Sequence, residues 1–284
     1  MTTAARVPDL SFHDGHTIPQ LGYGVWQVAD DIAADMVAHA IRSGYRHVDT
    51  AAIYANEVGV GQGVRASGVP REEVFVTTKL WNDAHGSVES VDGALVASLD
   101  RLGFTSIDLY LMHWPCPARG LHVATWQALV ELHGRGDGRI GSIGVCNFQE
   151  HHLADVIEAT GVAPVINQVE LHPYFQQREL RVAHARTGVV TQSWSPLGQG
   201  GELLADPVIV DIADAHGVSP AQVVIRWHLQ HGLVVIPKSQ TPARIESNVD
   251  VFGFELTDAQ LAAIDGLDRG PEGRIGPNPD TATF

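Results

Sequence analysis

Short apolar runs alternate with amphipathic stretches along almost the whole chain. Several of the runs are near-continuous and rich in Val and Ile, which is typical of parallel strands covered on both faces. Eight of them predict strands, at Leu21–Val25, His47–Ala51, Val74–Leu80, Ile107–His113, Ile140–Cys146, Pro164–Glu170, Val189–Ser195 and Leu233–Lys238.

The segments between these runs predict helices, because their apolar residues recur at three- and four-residue steps. The clearest segment extends from Ser87 to Leu102, and Thr257 with Gln260 begins the last helix with a capping-box pattern. The other predicted helices are Ala124–His133, His151–Ala159, Gln177–Thr187, Val208–His216 and Pro220–His231.

The chain begins with a predicted β-hairpin, since Asp14-Gly15 is a tight-turn signal between two short extended pieces. After it, eight strands each followed by a helical segment predict an α/β fold, a (β/α)8 TIM barrel. We expect one domain over residues 1–284, with residues 1–9 and 270–284 as extended tails. A doubly wound open sheet is the alternative. In a barrel, functional residues are expected where the strands end.

Composition narrows the function. The formal net charge of -15 disfavours a nucleic-acid partner, which would require a basic face. No segment has the layout of a signal peptide or the apolar length of a membrane span, and the two cysteines have no CxxC spacing. We therefore expect a cytoplasmic protein without a disulfide framework, a zinc site or a membrane partner.

Metal catalysis is not expected either, despite fifteen histidines. His151-His152 begins a helix, and His13 and His16 flank a turn, so neither pair is predicted to face the rim where the strands end.

Four polar residues are predicted to lie on that rim. Asp49, Lys79 and His113 lie at or near the ends of the second, third and fourth predicted strands, and Tyr54 lies in the loop after the second. A single strand-end polar residue is usually a cap or a loop residue. Their joint placement predicts a catalytic site.

The four residue types suit the reduction of a carbonyl group, which needs a proton as hydride arrives. Tyr54 is the expected acid, and the Lys79 ammonium, held by Asp49, is expected to lower its pKa. A depression of about 2 units corresponds to about 3 kcal/mol. A neutral His113 would orient the carbonyl by a hydrogen bond.

Ordered motifs extend over almost the whole chain. They are Asp49-Thr-Ala-Ala-Ile-Tyr54, Thr78-Lys79-Leu80-Trp81, Asp108-Leu-Tyr-Leu-Met-His113-Trp114-Pro115, Gly144-Val-Cys-Asn147-Phe148, Asn167-Gln168-Val-Glu-Leu-His-Pro173, Ser193-Trp-Ser-Pro-Leu-Gly198 and Ile236-Pro-Lys-Ser239. In these motifs the chain resembles the aldo-keto reductase family. In Gln176-Gln-Arg-Glu179, Pro196-Leu-Gly-Gln-Gly200 and Asp250-Val-Phe-Gly-Phe-Glu-Leu-Thr257 it resembles the bacterial branch that contains 2,5-diketo-D-gluconate reductases. The resemblance implies a TIM barrel, NADPH as cofactor, the four catalytic residues above, a small carbonyl substrate and a monomer.

The resemblance also implies a phosphate site after the eighth strand. Lys238, Ser239 and Arg244 would bind the 2′-phosphate of NADPH, and Asn248 would contact the adenine. The alternative for this segment is an ordinary solvated helix start, because Thr241-Pro242 is a good helix N-terminus by itself.

The other end of the cofactor is expected along the fifth to seventh strands. Asn147 and Gln168 would hold the nicotinamide carboxamide, Trp194 would face the nicotinamide ring, and Ser195 and Leu197 would lie along the pyrophosphate. The chain departs from the family at Cys146, where Ser is common. A thiol forms weaker hydrogen bonds than the serine hydroxyl, so one contact to the carboxamide is in doubt.

Trp26, Trp81 and Trp114 follow the first, third and fourth strands and are expected to wall an apolar substrate cleft. The Gly- and Pro-rich tail Arg269–Phe284 either drapes over this pocket, as the resemblance to the family implies, or is partly disordered. The glycines of Gly59-Val-Gly61-Gln-Gly63 lie within a helical stretch and lack the full dinucleotide-binding spacing. They predict close helix packing instead. A cofactor-sensing barrel with little turnover is the alternative to an enzyme, and the complete set of four catalytic residues argues against it.

Overall fold

Eight parallel strands form the centre of the computed structural model, which describes residues 7–284. The strands pair in chain order as β3 (Tyr23–Gly24), β4 (His47–Asp49), β5 (Phe75–Leu80), β6 (Ile107–Met112), β7 (Ile140–Cys146), β8 (Ile166–Glu170), β9 (Val190–Trp194) and β10 (Val234–Val235). Leu21 bridges Val235 in parallel, and Gly22 N donates to Val235 O at 2.9 Å. The sheet therefore closes on itself into a (β/α)8 barrel, which confirms the predicted fold and excludes the open sheet.

The predicted hairpin precedes the barrel as β1 (Asp9–Ser11) and β2 (Thr17–Pro19), paired antiparallel. Phe12 and Ile18 pack with residues of the barrel interior, among them Leu109 and Leu111. Asp14 accepts a hydrogen bond from Ser142 Oγ at 2.7 Å, near the start of β7. The hairpin thus covers the N-terminal end of the barrel and leaves the opposite end free for a site.

Ten α-helices surround the barrel in the described part of the chain. Gly103, Gly161, Gly188 and Gly217 each end a helix in the left-handed conformation that glycine adopts without strain. The helices are α1 (Asp30–Arg42), α2 (Glu57–Ala66), α3 (Val88–Leu102), α4 (His122–Gly134), α5 (Glu150–Thr160), α6 (Arg178–Thr187), α7 (Pro207–His216), α8 (Pro220–Gln230), α9 (Pro242–Val249) and α10 (Asp258–Asp265).

The glycine-rich segment lies within α2, as expected from the sequence. A Cβ on Gly61 would overlap the Leu102 carbonyl at the end of α3, and one on Gly63 would come within 2.6 Å of Ala34 O in α1. The small residues let α2 approach both neighbouring helices. The dinucleotide-binding interpretation is therefore excluded for this segment by its place in the fold.

The first and last barrel strands are shorter than predicted. Leu21–Val25 and Leu233–Lys238 were expected, but continuous ladders cover only Tyr23–Gly24 and Val234–Val235. Pro237 lacks an N–H and cannot donate to a ladder. The neighbouring backbone still bonds across the seam, where Gly24 N donates to Pro237 O at 3.2 Å.

The two tails also differ from simple extended segments. Asp9 already pairs with Pro19 in the hairpin, and residues 1–6 of the predicted N-terminal tail lie outside the described residues. Gly270–Gly273 forms a 3-10 turn, and the chain beyond it packs over the rim where the strands end. Within residues 7–284 no single helix is long and apolar enough to cross a bilayer, although α7 and α8, bent by 92°, meet the length and composition criteria together.

Candidate active site

Backbone strain concentrates at the C-terminal end of the barrel. In the described part of the chain, every non-glycine residue with positive φ lies in a loop that follows a barrel strand. A left-handed conformation costs a non-glycine residue roughly 1–2 kcal/mol, and such residues cluster at functional sites. These residues are Gln27, Ala55, Cys116, Asn147, Gln177, Ser195 and Gln199.

The structure brings three of the predicted catalytic residues into direct contact at this rim. Lys79, in β5, is fully buried and donates from Nζ to Asp49 Oδ1 at 2.5 Å. The same ammonium donates to the Thr50 carbonyl at 2.8 Å and to the Tyr54 hydroxyl at 3.4 Å. Asp49 ends β4 and pairs with Thr77 in β5, so Lys79, two residues further along the same face of β5, lies within reach of its carboxylate.

The loop that carries Tyr54 is held from both sides. Asn56 donates from Nδ2 to the carbonyls of Val25 and Val28, each at 2.9 Å. Glu57, buried at the start of α2, accepts hydrogen bonds from Thr78 Oγ1 at 2.6 Å and from Arg101 Nε at 2.7 Å. These contacts fix the Tyr54 hydroxyl beside Lys79.

His113 immediately follows β6, and its backbone N donates to Leu80 O at 3.2 Å. Its ring meets the Tyr54 ring edge to face at a centroid distance of 5.7 Å and the Trp81 indole at 5.2 Å. All four predicted catalytic residues therefore lie together on one rim.

The pKa of Tyr54 departs from the sequence-based expectation. Burial raises the pKa of Tyr54 to about 12, and the opposing effect of the Lys79 ammonium offsets only part of that rise. The expected depression is therefore wrong for the protein without bound ligands. The sequence shows that Lys79 is near, but the loss of solvent around the phenol depends on the folded surroundings.

Burial opposes the charge on both members of the buried ion pair. It raises the pKa of Asp49, against the lowering effect of Lys79 and Gln168. It lowers the pKa of Lys79, but Asp49, Tyr54 and Cys146 together hold that pKa above its ordinary value. Burial lowers the pKa of His113 well below its usual range, and the Lys79 charge adds to the effect. His113 is thus a neutral imidazole near pH 7, as expected.

Gln168 has a contact that sequence reasoning missed. Its Nε2 donates to Asp49 Oδ2 at 2.7 Å and to Gln192 Oε1 at 3.1 Å, so both amide hydrogens are used. Asp49 is therefore held by an amide as well as by Lys79. The available signal was the polar residues Gln168 and Gln192 on adjacent apolar strands, where they pair in register.

Asn147 and Trp194 are joined to the catalytic rim. Trp194 donates from Nε1 to Asn147 Oδ1 at 2.8 Å, and Asn147 donates from Nδ2 to the His113 carbonyl at 3.0 Å. Ser195 and Leu197 follow in the loop that precedes the 3-10 turn Gly198–Gly200. The Cys146 side chain is fully buried within the barrel, so it offers no accessible surface to a ligand.

The segment after β10 carries two cations. Neither Lys238 nor Arg244 has an ion-pair partner within residues 7–284, and Arg244 is exposed on the first turn of α9. Ser239 and Asn248 are buried, and the Ser239 carbonyl accepts a hydrogen bond from the Tyr23 hydroxyl at 2.7 Å. The segment therefore presents unpaired positive charge in a protein of strongly negative net charge.

Aromatic side chains surround the catalytic residues. Phe284 stacks on Trp81 with ring centroids 5.9 Å apart and meets Trp114 edge to face at 4.9 Å. Trp26 is 44% exposed, whereas Trp114 is nearly buried. Phe284, which the sequence did not single out, forms an apolar wall with Trp81 and Trp114.

His151 and His152 lie nearer the rim than expected. Their Nε2 atoms are 3.3 and 3.6 Å from Asp280 Oδ1 in the C-terminal tail. His152 Nδ1 accepts a hydrogen bond from Gln149 N, so the neutral ring carries its proton on Nε2 and cannot ligate a metal there. The cluster fastens the tail to α5.

Comparisons with known sequences show the family of the chain. The Aldo/keto reductase family model matches residues 19–269. Methylglyoxal reductase DkgA of Escherichia coli K12 is 52% identical over 272 residues, covering 95% of this chain and 96% of its own. An aldo-keto reductase of Mycolicibacterium smegmatis is 51% identical over 277 residues, covering 98% of both chains.

Solved structures of similar proteins have the same fold. The apo structure of Gox0644 superposes with a TM-score of 0.93 at 51% identity, covering 99% of this chain and 100% of that chain. A mutant of Gox0644 in complex with NADPH gives the same TM-score and identity with the same coverage. These matches support an oxidoreductase that reduces carbonyl compounds. The chain belongs to the aldo-keto reductase family, which confirms the resemblance seen in its motifs.

Proposed function

We propose that this protein reduces a small aldehyde, ketone or dicarbonyl to the alcohol with NADPH, and that Tyr54 is the proton donor. The observation that carries the proposal is the contact of the Tyr54 hydroxyl with the Lys79 ammonium, which is itself paired with Asp49. The relatives named methylglyoxal reductase support a small carbonyl as substrate.

Each residue of the rim has a role that follows from its chemistry. Tyr54 holds a proton and donates it to the carbonyl oxygen as negative charge develops there. Lys79 stabilises the tyrosinate that remains. Asp49 holds Lys79 in place, and Gln168 holds Asp49 by a hydrogen bond. His113, neutral at pH 7, orients the carbonyl oxygen by a hydrogen bond.

The residues present fit a phosphorylated nicotinamide cofactor. NADPH supplies the hydride when bound. Arg244 and Lys238 carry unpaired charge for its 2′-phosphate, and Trp194 offers an indole face beside the catalytic rim. Asn147, Gln168 and Asn248 are the proposed contacts to its amide and adenine ends, with Ser195, Leu197 and Ser239 along its phosphates.

The test is the reduction of methylglyoxal and aryl aldehydes, measured as the oxidation of NADPH. Tyr54→Phe removes the donated proton and keeps the ring, so we expect kcat to fall by about 10²–10⁴-fold while NADPH affinity changes little. Loss of NADPH binding in this variant would contradict the acid role. A wild-type protein that binds NADPH tightly and turns over no carbonyl would instead support the cofactor-sensing alternative.

We also propose that the protein works as a cytoplasmic monomer. Light scattering of the purified chain at several concentrations tests the monomer directly.

A further inference from the structure

The C-terminal tail crosses the loop after β8 in residues 269–276, which we call the strap. Arg269 N donates to Tyr174 O at 2.9 Å, and the Arg269 guanidinium stacks on the Tyr174 ring at 3.5 Å from its centroid. Arg274 stacks on the Phe175 ring at 4.5 Å. The strap is therefore attached along its length to the end of the sixth barrel strand.

Two glycines let the strap lie this close. A Cβ on Gly273 would overlap the Tyr174 carbonyl, and one on Gly276 would come within 2.5 Å of Cη2 of Trp194. Neither glycine has a positive φ, so a side chain is excluded by proximity and not by backbone conformation. At Gly276 the strap backbone rests directly on the edge of the Trp194 indole.

Glu170 fixes this contact. It ends β8 and is 1% exposed, and its two carboxylate oxygens accept hydrogen bonds from consecutive strap amides: Ile275 N at 2.6 Å and Gly276 N at 2.8 Å. His172 Nε2 lies 3.1 Å from the same carboxylate. A buried carboxylate with this many partners is a specific anchor, because the loss of any partner leaves charge without compensation.

The contacts of Glu170 lead to the catalytic rim through Trp194. Glu170 pairs with Trp194 across β8 and β9, Trp194 donates to Asn147, and Asn147 donates to the His113 carbonyl. At its other end the strap is tied by the Arg269–Glu202 ion pair to the turn that follows the Gly198–Gly200 loop. The strap thus touches Trp194, which is assigned to the nicotinamide, and the turn that follows the loop of Ser195 and Leu197.

We propose that Glu170 is a positioning residue for the cofactor: it clamps the strap so that Gly276 backs the Trp194 indole and sets the surface on which the nicotinamide rests. The inference rests on the proposed function, because it needs NADPH at Trp194. Glu170 touches no reacting group in this proposal. Its effect passes through the strap and the indole.

Two variants test it from opposite sides of the contact. Glu170→Gln keeps the shape of the side chain but replaces one carboxylate oxygen, which accepts a hydrogen bond from a strap amide, by an NH2 group that cannot accept one. Gly276→Ala keeps Glu170 and drives a methyl group towards the indole. The control is Asp280→Asn, which weakens the later attachment of the tail to His151 without reaching Trp194.

The readouts are the Kd and the release rate of NADPH, measured by protein fluorescence, together with kcat and KM. For Glu170→Gln we expect the Kd to rise by roughly tenfold, the scale of one hydrogen bond to a charged group, and release to accelerate, while kcat at saturating NADPH stays close to wild type. Gly276→Ala should change the same constants in the same direction. Asp280→Asn should leave the Kd unchanged.

Hydrogen exchange of residues 269–276 separates positioning from a merely structural role. Faster exchange in Glu170→Gln with an unchanged NADPH Kd overturns the inference, since the strap would then be loose without consequence for the cofactor. If Glu170→Gln does not fold, Gly276→Ala decides by itself, and an unchanged Kd there overturns the inference. A wild-type chain that does not bind NADPH contradicts the proposed function. If the wild type binds NADPH and both variants bind it with the same Kd, only this inference is contradicted.

Discussion

Tyr54 lies among groups that change its pKa in opposite directions. Burial and the Asp49 carboxylate raise that pKa, while the Lys79 ammonium lowers it. In the protein without ligands burial prevails, so the phenol keeps its proton at neutral pH. A group that must donate a proton benefits from being protonated beforehand, and Lys79 then serves mainly to stabilise the anion left behind.

A spectroscopic titration tests this order of effects. Since the pKa of Tyr54 is raised to about 12, the tyrosinate appears only as the pH rises through strongly alkaline values. The difference in absorbance at the tyrosinate band between wild type and Tyr54→Phe should therefore be flat from neutral pH to about 10, the ordinary pKa of tyrosine. A tyrosinate that titrates near pH 7–8 and vanishes in Tyr54→Phe would show that Lys79 prevails instead.

Arg244 carries a prediction about cofactor choice. Its guanidinium is exposed and unpaired within residues 7–284, so a 2′-phosphate gains two donors there that NADH cannot use. Arg244→Ala should raise the Kd of NADPH by about 10-fold or more, and that of NADH by far less. Equal losses for both cofactors, measured by the same fluorescence titration, would reject the 2′-phosphate assignment. Arg42, whose guanidinium donates to Ala66 O at the end of α2 and not to α9, provides the matched Arg→Ala control.

The catalytic residues were predictable because strand order alone places them. Asp49, Lys79 and His113 follow adjacent parallel strands, whose carboxyl ends meet at one edge. The Gln168–Asp49 hydrogen bond was not predictable, because Gln168 lies four strands away from β4 and reaches it across the barrel interior. Side-chain reach across a closed barrel is not encoded in local spacing.

At the scale of elements, predictions were best where the hydrophobic pattern is long and regular. The strand Ile140–Cys146 was predicted with its observed bounds, and the Ser87–Leu102 helix begins one residue later because Ser87 is its N-cap. The sequence left open whether the tail that contains the strap is ordered over the pocket, since Gly- and Pro-rich sequence carries no periodicity. The position of the strap depends on Glu170 and Trp194, about a hundred residues earlier in the chain.

The packing of α2 supplies a prediction about stability. Gly61→Ala places a methyl group on the Leu102 carbonyl, so α2 and α3 must separate locally. We expect a loss of about 1–3 kcal/mol in the free energy of unfolding, the usual cost of overpacking. Gly93→Ala is the matched control, because Gly93 lies inside α3 with open space around it and should gain about 0.5–1 kcal/mol. Urea unfolding of both variants measures the difference, and equal effects would contradict the packing role of Gly61.

At the scale of the whole molecule, the hairpin, the barrel seam and α8 meet at Gln20. Its Nε2 donates to Leu229 O at 2.8 Å and to Leu233 O at 3.2 Å, and its backbone carbonyl accepts from Val235 N at 2.9 Å. The side chain is buried, so its amide supplies the hydrogen bonds that water would otherwise donate to the carbonyls at and after the end of α8. One residue thereby joins the start of the barrel to its last strand.

Gln20→Ala should therefore loosen the seam. The variant keeps the backbone pairing but removes two buried hydrogen bonds, and it leaves the Leu233 carbonyl without that donor. We expect a loss of about 1–3 kcal/mol in the free energy of unfolding, together with faster hydrogen exchange at Val235 N. Gln62→Ala, at an exposed position of α2, should change stability by less than about 0.5 kcal/mol. If both variants unfold at the same urea concentration, the seam is held by strand pairing and core packing alone, and Gln20 has no part in closing the barrel.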